Sequence, residues 1–438
     1  MSKNLRRSAV AAVGAAALAL PLALPANAAV IDPDLPITIQ PVAGASVYRI
    51  ADRDRIGTAI EAAQSRDDWG RGASQWVWEC DGNNVVPRDG QPVNNTNRWN
   101  LGDEIQVGLP NNPDNQVTCT VVSAPAGLQF MDIIVARSDD YSDALAGTPL
   151  ADVLDAPVLI NPTDKLDSRN AAEIARLAGL RGTNTLVTVH LLGGTNALSH
   201  NVENQVDAVT GVDRTFRYQG IDRYETAVNL GYVTVEAYGI ESGADIMNVN
   251  TYVTTGINFP DALAAGAAAA ENDGIVLLTK GEEMDGRGYT DDFIAGLNDW
   301  VNDDDWSWLN WMDINTNENF GVGGPAVRAL RAADVRTAAN YDGRDRYETA
   351  TLTAEGTFDN PTNFAVASGL NYPDAVVASA YIANSDGPLL LSHPTNLTPV
   401  TAAYLSDNVD NGDKVVTFGG TGTLSNTVTQ QIAELFNY

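Results

Sequence analysis

Lysine is almost missing from this sequence. Four occur in 438 residues (Lys3, Lys165, Lys280 and Lys414), and Lys plus Arg total 26 against 56 Asp plus Glu, a formal charge of −30. Phosphate backbones are gripped by clustered Lys and Arg, so a nucleic-acid partner is excluded. The acidic surface suits solubility, salt tolerance or cation binding, and composition does not choose among them. Histidine is as scarce, with His190, His200 and His393 at unrelated points. No G-x-S-x-G elbow, P-loop, H-E-x-x-H or C-x-x-C pair occurs, and the glycine pairs do not spell G-x-G-x-x-G. A non-catalytic protein without a cofactor is the expectation.

Long apolar runs are missing too, apart from Ala9 to Leu24, which follows Lys3, Arg6 and Arg7 and precedes Ala26-Asn27-Ala28. That order is a secretory signal peptide, with cleavage expected after Ala28. Losing its three cations takes the charge from −30 to −33. No other stretch approaches the roughly 20 apolar residues that span a bilayer. No apolar anchor or LPxTG-like motif follows the final QQIAELFNY, so any attachment to the cell is expected to be non-covalent. Only two cysteines occur, Cys80 and Cys119. In an oxidising space the simplest reading is one disulfide, with two free thiols as the alternative.

What the sequence does have is repetition. RYQGIDRYETA (217–227) recurs as NYDGRDRYETA (340–350) and, degraded, as RIADRDRIGTA (49–59). TTGINFPDALA (254–264) recurs as ASGLNYPDAVV (367–377) and ARSDDYSDALA (136–146). Apolar strands APVLI, GIVLL and GPLLL follow, then LLGGTNALS, VGGPAVRAL and FGGTGTLS. Four elements in one order, three times, define three copies of a unit.

Spacing locates the insertions. Arg346 to Asp374 is 28 positions, Arg223 to Asp261 is 38 and Arg55 to Asp143 is 88, so copy one carries about 60 extra residues near 65–128. The distance from that Asp to the glycine pair is 45, 50 and 62 in copies three, one and two, which puts a second insertion near 298–319. The expected boundaries are a leader 1–28, a linker 29–44, and copies at 45–213, 214–339 and 340–438.

Each copy reads as alternating strands and helices. Asp222 with Glu225, and Asp345 with Glu348, have the spacing of an N-cap and its N3 partner, while Gly57 leaves copy one incomplete. Pro260-Asp261 and Pro373-Asp374 open alanine-rich helices. Asp-Gly at 273–274 and 386–387 turns into strands apolar on both faces, typical of a parallel sheet covered by helices. Last helices are capped by Ser199 and Ser425. The fold class expected is α/β: three tandem Rossmann-like, open parallel-sheet domains, the first interrupted by a small β-rich insertion around the disulfide.

DRYETA, G-x-N-[FY]-P-D-A, the P-[IL]-L-L-like strand and GGT together resemble the cell wall-binding repeat type 2 family, carried in threes by exported proteins of Gram-positive bacteria. The resemblance implies a pseudo-threefold arrangement and non-covalent binding to a wall polymer. It also implies anchoring through the apolar strands, here Pro157, Leu159, Leu277, Leu278, Pro388, Leu390 and Leu391. Family ligands include anionic glycopolymers, so with this acidic chain either divalent cations bridge the two or the ligand is closer to neutral.

Other candidates come from the residues themselves. Asp143, Asp261 and Asp374, with Asn258 and Asn371, could meet sugar hydroxyls at the loop edge, or serve only as helix-start and turn chemistry. Arg55, Arg223 and Arg346 are polymer contacts or structural ion-pair partners. All eight tryptophans fall in or beside the insertions: Trp69, Trp76, Trp78, Trp99, Trp300, Trp306, Trp308 and Trp311. Exposed, they would form a glycan or partner platform; buried, a mini-core. Asp303-Asp304-Asp305 is a weak calcium candidate without EF-hand spacing. A wall-glycan enzyme with its site in the insertions, and an adhesin or surface-layer subunit, are the competing functions.

Overall fold

The computed structural model describes residues 45–72, 76–80, 84–88, 104–109, 112–123, 128–182, 184–242, 246–300 and 313–436. The expected leader and linker lie outside the described residues. Copy one supplies β1 (Ser46–Ile50), α1 (Arg55–Gln64), β2 (Arg71–Gly72), β3 (Trp76–Cys80), β4 (Asn84–Arg88), β5 (Glu104–Leu109), β6 (Asn112–Ser123), β7 (Gln129–Arg137), α2 (Ser142–Leu145), α3 (Thr148–Val153), β8 (Val158–Asn161), α4 (Ser168–Leu180), β9 (Thr185–Leu192) and α5 (His200–Asp207). Copy two supplies β10 (Arg214–Tyr218), α6 (Arg223–Ser242), β11 (Ile246–Thr255), α7 (Pro260–Glu271), β12 (Gly274–Thr279), α8 (Tyr289–Trp300), β13 (Asp313–Val322) and α9 (Gly324–Ala332). Copy three supplies β14 (Ala339–Tyr341), α10 (Arg346–Thr357), β15 (Asn363–Ser368), α11 (Tyr372–Ala383), β16 (Leu389–Ser392), α12 (Pro399–Asn408), β17 (Lys414–Phe418) and α13 (Asn426–Leu435).

Three sheets are each built on four parallel strands, ordered β10-β9-β7-β8, β14-β13-β11-β12 and β1-β17-β15-β16. One edge strand in each comes from the next copy. β10 of copy two completes the sheet of copy one, β14 of copy three completes that of copy two, and β1 of copy one pairs with β17 of copy three. Strand sharing therefore runs in a closed circuit. The two-residue β2 adds an antiparallel partner to the start of β7, and β3 to β6 form a separate antiparallel sheet, the β-rich insertion.

The aliphatic strands are flanked on both faces, so β8, β12 and β16 are buried at every position. The turn into them departs from the Asp-Gly expectation in detail. Asp155, Asp273 and Asp386 carry the positive φ of 47°, 48° and 51°. Gly274 and Gly387 are small because a Cβ would stand 2.7 and 2.1 Å from the carbonyls of Asn250 and Asn363. Within the span of the second insertion, residues 313–319 belong to β13, which with β11 runs ten residues against five or six for β17 and β15.

Helices α3, α7 and α11 pack against one another where the copies meet. Eight of the twelve residues of α7 are alanine or glycine, and it is buried nearly all round, as a helix enclosed by other helices and a sheet must be. Thr148, Gly266 and Ser379, five residues after Asp143, Asp261 and Asp374, converge there. A Cβ on Gly266 would lie 2.9 Å from Thr148 Cβ and 3.0 Å from Ser379 Oγ, and Thr148 Oγ1 donates to Ser379 Oγ at 3.3 Å. One apolar core draws residues from all three copies.

Candidate functional site

The DRYETA element builds a helix start and a clamp. Asp345 Oδ1 accepts from Tyr347 N and Glu348 N at 3.0 Å each, and Asp222 Oδ1 accepts from Tyr224 N and Glu225 N at 3.0 and 3.2 Å. Glu348 returns the favour to Arg344 N at 2.5 Å. In copy one Asp54 still caps, through Gly57 N at 2.9 Å. The missing glutamate is replaced in space by Asp52, whose Oδ2 would be 1.9 Å from a Cβ on Gly57. The neighbouring Arg55, Arg223 and Arg346 each donate through Nη1 to the carbonyl just past the end of β7, β11 and β15: Ser138 at 2.6 Å, Gly256 at 2.6 Å and Gly369 at 2.5 Å.

The three motif aspartates lie under the glycine pairs rather than in solvent. A Cβ on Gly193, Gly323 or Gly419 would come within 2.2, 2.2 and 2.5 Å of Oδ2 of Asp143, Asp261 and Asp374. Those glycines hold φ of 95°, 86° and 100°. Burial pushes Asp143 up to about 6, with Asp140 adding to the effect. Burial does the same to Asp261, to about 6, against Arg346 and the Thr349 hydroxyl. Asp374 is also raised by burial, despite Thr423, Arg55 and Thr58. The cationic partners follow the strand circuit: Asp143 faces Arg223 of copy two, Asp261 faces Arg346 of copy three, and Asp374 faces Arg55 of copy one.

One expectation changes and two open alternatives narrow. The apolar strand residues are core: Leu159, Leu277, Leu278, Leu390 and Leu391 are all 0 % exposed, and Pro157 and Pro388 are buried beside them. A polymer cannot touch them in this fold, because helices cover both faces of each strand. Of the motif aspartates, Asp143 and Asp374 are buried and Asp261 is partly exposed. Trp69 leaves the platform: it is 1 % exposed, packs among core residues such as Met131 and Leu177, and donates Nε1 to Ala63 O at 2.7 Å. Trp76 and Trp78 stand on β3 and Trp300 ends α8. Trp99, Trp306, Trp308, Trp311 and Asp303, Asp304 and Asp305 lie outside the described residues. Cys80 and Cys119 are register partners across β3 and β6.

Two features sit inside the repeated motifs at positions not singled out as site candidates. Arg49 and Arg217, on the shared strands β1 and β10, are 4 % and 3 % exposed and hold the glycine turn of the preceding copy. Arg49 donates to the carbonyls of Gly419 (2.5 Å), Leu424 (2.7 Å) and Ser425 (3.1 Å), and Arg217 to Gly193 O at 2.9 Å. Copy three has Asn340 there, which weakens the sequence signal. The second is an aromatic triangle with one ring from each copy. Tyr141, Phe259 and Tyr372, each two residues before a motif aspartate, approach with ring centroids 5.6, 5.6 and 5.8 Å apart.

All of these loops lie at the ends of parallel strands, the edge at which open α/β sheets receive ligands. The shared strands join three such edges head to tail. The chain belongs to the Cell wall binding domain 2 family, whose profile matches residues 49–203, 217–325 and 340–429. It is thus a wall-associated protein of the cell surface. It is 25 % identical over 300 residues to the N-acetylmuramoyl-L-alanine amidase LytC of Bacillus subtilis (strain 168), covering 68 % of this chain and 52 % of that protein. An amidase enhancer of the same organism is 29 % identical over 167 residues, 38 % of this chain and 21 % of its own length. The fold is shared with Cwp8 and Cwp6 from Clostridium difficile. Their TM-scores are 0.60 and 0.59 at 20 % and 16 % identity, covering 89 % and 92 % of this chain and 51 % of each of theirs. The chain thus spans about half the length of LytC and of both solved structures. Among the described residues no helix is long and apolar enough to cross a membrane.

Proposed function

We propose that this chain is a non-catalytic anchor that holds its polypeptide to a wall polymer by non-covalent contacts, with each copy a Rossmann-like unit and the three related by a pseudo-threefold axis. The carrying observation is the family match in triplicate on a closed circuit of shared strands. The amidase activity in a relative's name belongs to a protein nearly half of which lies outside the match. Export through the leader and specificity from the insertions complete the proposal.

The chain from residue 29 onward, mixed with isolated cell walls, is expected to co-sediment and to release no soluble peptidoglycan fragments. Failure to sediment with or without added calcium removes the anchor reading, and fragment release removes the non-catalytic one. The cysteines are expected to be joined, since cross-strand partners stand within disulfide reach. Alkylation of the unfolded, unreduced chain followed by mass measurement should add no label. Replacing both cysteines by serine should cost the insertion roughly 4 kcal/mol for a loop of about 40 residues.

A further inference from the structure

The aromatic triangle closes the axis at the end where β7, β11 and β15 finish, and none of its three rings is fully buried. Ile257 and Leu370, at one repeat position two residues earlier, are 52 % and 53 % exposed. A single exposed aliphatic needs no explanation, but two of them beside three half-exposed rings make one patch. The polar rim is already matched in charge. Arg137 pairs with Asp139 at 2.8 Å and Arg223 stands 4.0 Å from Asp140. Arg55 and Arg346 face Asp374 and Asp261. Arg223 also lies 5.6 Å from the centroid of Tyr141. In a chain of charge −30 this mouth offers an acidic polymer no excess of cations. It offers a neutral sugar the partly exposed rings and aliphatic side chains for its C–H surface, and the Arg137–Asp139 pair with the exposed Asn258 for its hydroxyls.

We infer that the axial mouth framed by Tyr141, Phe259 and Tyr372 is a carbohydrate subsite that takes an uncharged pyranose unit of the wall polymer. The inference rests on the wall-binding reading and specifies where and what the anchor grips. Stacking and hydrogen bonding to paired groups survive salt, whereas attraction between unlike charges is screened by it.

The test uses the chain from residue 29 and isolated walls, untreated or stripped of phosphate-linked acidic polymers with hydrofluoric acid. Binding is expected to persist on stripped walls and to change less than about threefold between roughly 50 and 500 mM salt. Ile257→Ser with Leu370→Ser, two exposed changes, and Phe259→Leu, which keeps the packing and loses the flat face, should each weaken binding about tenfold. Their melting temperatures should stay near the parent's. Should Phe259→Leu unfold, the serine pair decides. Folded variants that bind as well as the parent overturn the subsite. Loss of parent binding on stripped walls, or a steep salt dependence, overturns the uncharged sugar. A parent that ignores untreated walls tells against the anchor reading instead.

Discussion

At the scale of single residues, the glycine pair works as a lid over a carboxylate. Gly323 needs a left-handed backbone and leaves no room for a methyl group above Asp261. Alanine there meets both penalties, about 1–2 kcal/mol for the backbone and a comparable amount for displacing the carboxylate. Gly323→Ala should therefore lose about 3 kcal/mol in urea unfolding. Gly182 has a similar φ of 89° with open space at its Cβ, so Gly182→Ala should lose only the backbone share, about 1 kcal/mol. Equal losses would show that the aspartate beneath the turn does not matter.

Among elements, the leading strand of each copy matters most, because it is folded by its neighbour. β1 covers the edge of β17, and Arg49 on it satisfies three carbonyls of the glycine turn and the Thr429 hydroxyl. A chain begun at residue 52 leaves that edge and those carbonyls unpaired. Each buried unpaired group costs about 1–3 kcal/mol, and an open strand edge invites pairing between molecules. Such a chain is expected to lose helical and sheet signal in copy three or to elute as oligomers in size-exclusion chromatography. A monomer melting with the parent would refute the shared strand.

For the whole molecule, acid burial sets the response to pH. Burial raises Asp143 and Asp261 to about 6, Glu61 to about 7 and Glu236 to about 8. An acid whose folded value exceeds its unfolded one binds its proton more tightly when folded, so stability grows as pH falls through the folded value and levels off near 4. The opposing groups are Asp167, held low by Arg169, and Glu348, held low by Arg344, whose contributions fade only as pH drops below about 4. The melting temperature should therefore rise by several degrees from pH 8 to pH 5 and fall again below pH 4. Asp261→Asn together with Asp143→Asn should flatten that curve between about pH 7 and pH 5 and leave the rise nearer pH 8, and a parent most stable at pH 8 would contradict the assignment.

Read in one dimension, the sequence determined the triplication, the strands such as Thr185–Leu192 and Lys414–Phe418, the caps Asp222 and Asp345, and the place of the β-rich insertion. These are local: periodicity, capping and turn chemistry act within a few residues and leave their mark wherever the pattern recurs. Tertiary structure alone decided that β1 belongs to copy three, that Trp69 is core and that the motif aspartates lie beneath glycines. It also brought Tyr141, Phe259 and Tyr372 together across more than 200 residues. Burial and pairing at such separations depend on which surfaces meet when three units close on one another, and no single unit contains that information.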